Sequence, residues 1–237
     1  QLNYGSLIVY TSADSDLQIA AHEDIISAEQ LYDYCEKVRE LTMREDFLVA
    51  RVIARPFTGK NGKFKLNNAG RKDYSISPPK KTILDDLNEN GYNVIGIGKI
   101  NDIFAEQGIN KALKATNNQE ALNKLSSIMD KNFTGLCMVN LADFDNLYGH
   151  LRDVEGYGKA LEDLDVEMPL LLNRLEMDDL LIITADHGND PTFKGNDHTR
   201  ENVPIIMYCR NFKTPHRLEP QETLACIGAT IADNFDL

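Results

Sequence analysis

The sequence is poor in cysteine, poor in basic residues and free of long apolar runs. Its four cysteines lie far apart and include no C-x-x-C pair, so we expect reduced thiols in a cytoplasmic protein. Lysine and arginine number 25 against 37 acidic residues, and the formal net charge of −12 argues against nucleic acid or an anionic membrane as a partner. Because no apolar run reaches about 18 residues and no secretion-signal pattern is present, the sequence predicts no membrane-spanning helix.

What the sequence does have is enough apolar material for a substantial core. With 237 residues and a hydrophobic content of 42%, it fits one large domain or two small ones. Residues 58–81 are rich in Gly, Asn, Lys and Pro, so we predict loops there, ending in Ser77-Pro78-Pro79. We place a domain boundary at this point, with residues 1–78 before it and 79–237 after it. Because the sequence starts at Gln1, shortly before a strand-like run, we take it as a candidate fragment of something longer.

The hydrophobic periodicity differs on the two sides of this boundary. Before it we predict a strand at residues 8–11, a helix opened by the capping box Ser27–Gln30, and a β-rich run at 47–55. After it we predict helices at 82–89, 118–130, 156–175 and 221–234, and strands at 94–97, 136–141, 180–184 and 204–208. This alternation is typical of an α/β fold with a largely parallel sheet and helices on both faces. Pro169 lies inside the third helix and should kink or split it.

Two short stretches hold three of the five histidines, each beside carboxylates. The stretches are Asp143–His150 and Thr184–Glu201. In the second, Asp186-His187 follows the apolar run 180–183, which is typical of a buried strand, and open α/β sheets bind ligands at such strand ends. Imidazole and carboxylate suit Zn²⁺, Mn²⁺ or Fe²⁺, and two such groupings suit a two-metal site. The alternative is an ordinary surface or capping role for these pairs.

The candidate metal ligands lie in the two stretches that follow predicted strands. They are Asp145, His150, Asp186, His187 and His198. Asp143 competes with Asp145, and the residue types alone do not choose between the two. His198 is eleven residues beyond His187, after a loop with Pro and Gly that can fold back. Five protein ligands are few for two ions, so we expect that a further carboxylate ligand is missing.

Three basic side chains and the other two histidines have less specific settings. Arg51 and Arg55 share one face of a predicted strand, where they could fork a phosphate or carboxylate, or else form salt bridges on an exposed face. Lys99 follows a predicted strand and is either an anion ligand or a solvated lysine. We expect no site role for His22, on a predicted amphipathic helix, or for His216, in a polar loop.

Nearly the whole chain resembles the phosphopentomutases, a family of the alkaline phosphatase superfamily. The matching stretches include residues 10–15, 51–57, 71–74, 96–100, 143–150, 184–192 and 197–201. The T-A-D-H-G motif at 184–188 is shared widely in the superfamily, whereas the first three stretches are far more specific. The resemblance implies an alkaline-phosphatase-like α/β core, of which residues 79–237 are the carboxy-terminal part. It also implies a smaller α+β cap domain at residues 1–78 that covers the substrate.

The resemblance further implies an activity and its ligands. The family interconverts ribose 1-phosphate and ribose 5-phosphate, or the deoxyribose pair, through a phosphothreonine, two Mn²⁺ ions and a sugar bisphosphate primer. By motif, one ion would be held by Asp145, His150 and His198, and the other by Asp186 and His187. The sugar phosphate would be bound by Ser12, Asp14, Arg51, Arg55 and Lys99. We expect a cytoplasmic enzyme acting on pentose phosphates, monomeric at full length, in which Zn²⁺ or another divalent ion is the alternative to Mn²⁺.

Two elements of the family are absent from these 237 residues. One is a strand with a further metal-binding Asp, and the other is the segment with the nucleophilic Thr. We therefore assign no catalytic residue in this chain and expect it to be inactive by itself. The chain departs from the family at Asp16, Asn67, Asn68, Gly70, Leu151 and Asn196. The alternatives are another metal-dependent phosphomutase or phosphatase of the superfamily, and a non-catalytic metal-binding remnant.

Overall fold

A computed structural model describes residues 4–11 and 16–237, and the chain divides into two compact units. Unit 1 comprises Gln1–Pro78 with Asp102–Ala105, and unit 2 comprises Pro79–Asn101 with Glu106–Leu237. The roles of cap and core for these units remain predictions. Within the described ranges, no helix is both long and apolar enough to cross a membrane.

Unit 1 is a mixed β-sheet with one long helix. Its elements are β1 (Ile8–Thr11), β2 (Asp16–His22), α1 (Ala28–Leu41), β3 (Arg51–Lys60), β4 (Lys63–Leu66) and β5 (Lys72–Ser75), with short 3-10 turns at Glu45–Phe47 and Asn68–Gly70. The strand order is β1-β2-β3-β4, with β5 also paired to β3. Only β2 and β3 run parallel within this described sheet. The capping box at Ser27 is confirmed, and α1 buries Leu31 and Cys35 against Ile19 and Val52.

The prediction of loops across residues 58–81 is wrong, because β4, β5 and the end of β3 lie there. The reason is a tight hairpin turn at Asn61-Gly62, where φ is +56° and +77°. An Asn-Gly pair adopts such left-handed angles readily, and its twist matches that of the flanking strands. Lys60 and Lys63 are therefore directly paired across the turn.

His22 was predicted on a helix, but it is the last residue of β2 and is fully buried. Its Nε2 lies 2.7 Å from the carbonyl oxygen of Gly59, and its Nδ1 accepts from the Asp24 amide at 3.2 Å. One ring nitrogen therefore donates and the other accepts, which is the pattern of a neutral imidazole. The absence of a site role for His22 remains a prediction.

Unit 2 begins with a short helix, after which strands and helices alternate as far as β9. Its elements are α2 (Ile83–Glu89), β6 (Asn93–Ile97), α3 (Ile100–Ile103, which reaches into the stretch grouped with unit 1), β7 (Lys111–Leu113), α4 (Asn118–Met129), β8 (Gly135–Val139), α5 (Val154–Arg174), β9 (Leu181–Thr184), β10 (Ile205–Tyr208) and α6 (Ala225–Asn234). The strands β7-β6-β8 form a parallel sheet, which confirms the α/β class. Ile95 and Ile97 on one face of β6 pack with Ala121 and Ile128 of α4.

Two details of unit 2 differ from the prediction. The strands β9 and β10 form a separate antiparallel pair. The described segment between them, residues 185–204, contains no helix, whereas a parallel pair needs a crossover connection of that kind. Pro169 was predicted to kink or split α5: it does not split the helix, which runs from Val154 to Arg174, and a kink stays a prediction. A proline removes only one hydrogen-bond donor, so neighbouring turns can hold the helix together.

Candidate metal centre

The segment that follows β8 folds into a wide, π-helical turn at Phe144–Gly149. The amide of His150 donates to the carbonyl oxygen of Asp145 at 2.9 Å, and the amide of Asp153 donates to that of Tyr148 at 2.9 Å, each spanning five residues. π-Helical turns are rare, and those that do occur are frequently found at functional sites. Here the turn places the Asp145 carboxylate 3.4 Å from His150 Nε2.

The segment that follows β9 folds back on itself. Gly188 and Thr199 form a β-bridge, in which the Thr199 amide donates to the Gly188 carbonyl oxygen at 3.1 Å. A Cβ on Gly188 would lie 2.7 Å from that of Glu201, so the close approach requires glycine. As a result, the rings of His187 and His198 stack with centroids 3.7 Å apart.

These two segments meet in one cluster. One ligand atom from each of Asp145, His187 and His198 lies within 4.8 Å of the other two. The Nε2 of His198 is 3.3 Å from Asp145 Oδ1. All three side chains are partly buried, with exposed fractions of 22% for Asp145, 32% for His187 and 29% for His198. Two imidazoles and a carboxylate at this spacing suit Zn²⁺, Mn²⁺ or Fe²⁺.

His150 and Asp186 lie beside this cluster. The His150 ring is 4.8 Å from that of His198, and its Nδ1 is 2.5 Å from the carbonyl oxygen of Asn196. A carbonyl can only accept, so Nδ1 carries a proton, and Nε2 is the ring nitrogen left for a metal ion, as in many metal-binding histidines. Asp186 Oδ1 is 3.8 Å from His187 Nε2, and this side chain is 69% exposed. The role of all five side chains as ligands remains a prediction.

The structure separates Asp143 from Asp145. Asp143 Oδ2 accepts from the Asn118 amide at 2.8 Å, and the Asp143 amide donates to Asn118 Oδ1 at 3.0 Å. Asp143 is thus engaged at the first turn of α4, where the helix dipole favours a carboxylate. Asp145, and not Asp143, faces the histidines.

Residues 38–237 match the metalloenzyme superfamily, a group that is alkaline-phosphatase-like. The match covers most of the chain and includes all five candidate ligands. The chain belongs to the metalloenzyme superfamily. Membership makes a metal-dependent enzyme the expected class, and it agrees with the donor atoms that the two folded segments bring together.

Two residues that the sequence did not single out support the centre of this metalloenzyme. The side-chain nitrogen Nδ2 of Asn189 donates to Asp145 Oδ1 at 2.7 Å, and Arg152 Nη1 donates to Asn189 Oδ1 at 2.5 Å. Asn189 lies only two residues beyond His187 in the motif stretch, which was an available signal. Nothing in the local sequence marked Arg152, because four of its five acceptors are remote along the chain.

The loop of the metalloenzyme centre has a further internal contact at Asp190. Its carboxylate accepts from the Thr192 hydroxyl at 2.7 Å and from the Thr192 amide at 2.8 Å. These two contacts lower the pKa of Asp190 below its usual value, and the Thr192 hydroxyl contributes more than the Thr192 amide. The Asp190 amide also donates to Thr199 Oγ1 at 2.8 Å, which holds the loop against the strand-like bridge.

Lys99 lies in the same unit, just beyond β6. Its Nζ donates to Asn146 Oδ1 at 3.1 Å, and Asn146 is the neighbour of Asp145 in the chain. Lys99 and Asn146 line a recess of about 80 Å³ together with Asn117, Asn140 and Asp143. An ammonium group is therefore held close to the π-helical turn.

The predicted sugar-phosphate residues of unit 1 have a different setting. Ser12 and Asp14 lie outside the described residues. The guanidinium of Arg51 is 3.8 Å from the buried carboxylate of Asp16 and 3.9 Å from that of Asp73, and its side chain is mostly buried, so these ion pairs do not lie on an exposed face. A substrate role for Arg51 remains a prediction. Arg55 is partly buried in β3, opposite Ala20 of β2.

Proposed function

We propose that this chain carries the metal centre of a phosphopentomutase-type enzyme, which interconverts (deoxy)ribose 1-phosphate and (deoxy)ribose 5-phosphate. The observation that carries the proposal is the meeting of Asp145, His187 and His198 from two segments separated by more than forty residues, with ligand atoms within 4.8 Å of one another. Membership of the metalloenzyme superfamily supports metal-dependent chemistry. The choice of pentose phosphates rests on the resemblance of the chain to the phosphopentomutases.

The residues present fit a divalent cation. Asp145, His187 and His198 would hold one ion, and His150 and Asp186 would complete that site or a second one. This grouping differs from the one that the resemblance implies, in which His187 shares an ion with Asp186. When bound, such ions lower the pKa of an attacking hydroxyl and neutralise charge on a transferring phosphoryl group. We propose Mn²⁺, with Zn²⁺ as the alternative that the same donors suit.

Neighbouring side chains would orient the site and the substrate. The backbone carbonyl of Asn196 would keep a proton on His150 Nδ1, and the side-chain nitrogen Nδ2 of Asn189 would hold one oxygen of Asp145 in place. The Lys99 ammonium, held by Asn146, would attract the substrate phosphate because it places a positive charge at this end of the sheet. A sugar bisphosphate primer would present the same phosphate chemistry.

The nucleophile is not assigned within the sequence. Thr184, Thr192 and Thr199 all belong to motifs other than the phosphothreonine segment of the phosphopentomutases. The hydroxyl of Thr192 donates to Asp190, and that of Thr199 accepts from the Asp190 amide. We propose that the phosphoryl group is carried by a threonine outside these 237 residues and that this chain alone does not turn over.

One observation favours a second candidate function. Arg51 is flanked by Asp16 and Asp73, so a phosphate would compete with two carboxylates for its guanidinium. Asp16 is also a position where the chain departs from the phosphopentomutases. The second candidate is therefore another metal-dependent phosphomutase or phosphatase of the same superfamily, with a different phosphorylated substrate.

Calorimetric titration with Mn²⁺ and Zn²⁺ tests the metal centre. The unchanged protein should bind, and Asp145→Asn and His198→Gln should each weaken binding by at least about 100-fold, since they remove a proposed ligand. His216→Gln is the matched control, because His216 lies in a loop near Thr214 and should leave the affinity unchanged. Absence of binding by the unchanged protein, or equal loss in the control, would contradict the proposal.

A substrate panel tests the reaction. A protein containing this chain and the expected threonine segment would be supplied with Mn²⁺, a sugar bisphosphate, and either ribose 1-phosphate or a glycerate phosphate. We expect formation of ribose 5-phosphate and little release of inorganic phosphate. Preferential conversion of glycerate phosphates, or release of phosphate from every substrate, would favour the second candidate.

A further inference from the structure

Arg152 contacts both flanks of the loop that joins His187 to His198. On the side of His187, its Nη1 donates to Asn189 Oδ1 at 2.5 Å and to the Asp190 carbonyl oxygen at 3.0 Å. On the side of His198, its Nε and Nη2 donate to the carbonyl oxygens of Gly195 and Asp197. One side chain therefore closes a loop of ten residues between the two histidines.

The same guanidinium is fixed to the π-helical turn. Its Nη1, whose two hydrogens are shared among three acceptors, also lies 2.9 Å from the Gly149 carbonyl oxygen. The Arg152 backbone has a φ of +56°, which is uncommon for a residue other than glycine. All five acceptors are neutral oxygens, so these contacts use the forked geometry of arginine and not an ion pair. A backbone in this conformation persists only where the surroundings hold it.

A second step leads from Arg152 to the carboxylate of the centre. Because Arg152 donates to Asn189 Oδ1, the other end of this side-chain amide, Nδ2, points away from Arg152. Asn189 Nδ2 donates to Asp145 Oδ1 at 2.7 Å. The approach is close: a Cβ on Gly149 would lie 2.5 Å from the Asn189 amide nitrogen. The Asn189 side chain therefore fits here only because residue 149 is glycine.

We propose that Arg152 is a positioning residue of the metal centre. It holds the loop that carries His198 against the turn that carries Asp145, and it orients Asn189 so that one oxygen of Asp145 is fixed. This inference rests on the proposed metal centre. It predicts that the geometry and affinity of metal binding depend on a side chain that is not itself a ligand.

Titration with Co²⁺, followed by calorimetry and by the visible spectrum, tests the inference, because the spectrum reports ligand geometry. Arg152→Gln should weaken Co²⁺ binding by about 10- to 100-fold, the usual effect of losing a residue that orients ligands, and should shift the visible bands. Arg152→Lys keeps the charge but not the fork, so it should recover only part of the affinity. Arg174→Gln is the control, since Arg174 lies near the end of α5, 3.9 Å from Asp130.

Asn189→Leu provides a test that does not depend on the folding of the arginine variants. It removes the donor to Asp145 while leaving the contacts of Arg152 with backbone carbonyls, and it should weaken binding and shift the spectrum in the same direction. If the unchanged protein binds no Co²⁺, the proposed metal centre fails and this inference fails with it. If the unchanged protein binds, but folded Arg152→Gln or Asn189→Leu matches it within twofold in affinity and in spectrum, the inference alone is overturned.

Discussion

Shortening the side chain of Ile97 should destabilise unit 2 in proportion to the carbon atoms removed. Ile97 ends β6, has an exposed fraction of 0%, and packs in the cluster with Ile95, Ala121 and Ile128. Ile97→Ala removes three carbons, which at about 0.8 kcal/mol each amounts to about 2.4 kcal/mol of lost transfer free energy. The cavity left behind brings the expected cost to about 2–5 kcal/mol, whereas Ile97→Val should cost about 0.5–1.5 kcal/mol.

Urea unfolding followed by far-UV circular dichroism measures these differences. The transition midpoint should fall for both Ile97 variants while the slope stays the same, because the surface exposed on unfolding hardly changes. Val166→Ala is the control: Val166 lies on α5, is 72% exposed, and its loss should change the free energy of unfolding by no more than about 0.5 kcal/mol. A cost below about 1 kcal/mol for Ile97→Ala, or equal costs for the two Ile97 variants, would refute the packing argument.

Four further outcomes are expected. Burial raises the pKa of the Cys35 thiol from 9.0 to about 12, so iodoacetamide at pH 8 should modify it far more slowly than the partly exposed Cys226. Since the unfolded thiol ionises near pH 9, the contribution of Cys35 to stability is complete below that pH and is lost between pH 9 and about 12, which unfolding at several pH values would reveal. Thr192→Ala should raise the lowered pKa of Asp190 towards its usual value in an NMR titration, and an unchanged pKa would contradict the hydroxyl contact. The 237-residue chain alone should bind metal yet form no ribose 5-phosphate from ribose 1-phosphate, and substantial turnover would show that the nucleophile lies within it.

The helices α1, α2, α4 and α5 could be predicted well because their signals are local. The capping box at Ser27 and the capping threonine at Thr82 mark where α1 and α2 begin, and both helices start at those points. Strands were less predictable. Residues 16–22 form a strand because they pair with β3, a partner that lies more than thirty residues away.

The sequence by itself determined which kind of chemistry this protein can support. Carboxylates and imidazoles placed after apolar strands indicated a metal site, and this follows from residue type and hydrophobic pattern alone. Only the tertiary structure decided which side chains meet. Asp143 and Asp145 are chemically identical, but one faces Asn118 and the other faces His198. Arg152 gained a role in the same way, since four of its five acceptors lie about forty residues along the chain and come within reach only when the loop after β9 folds back.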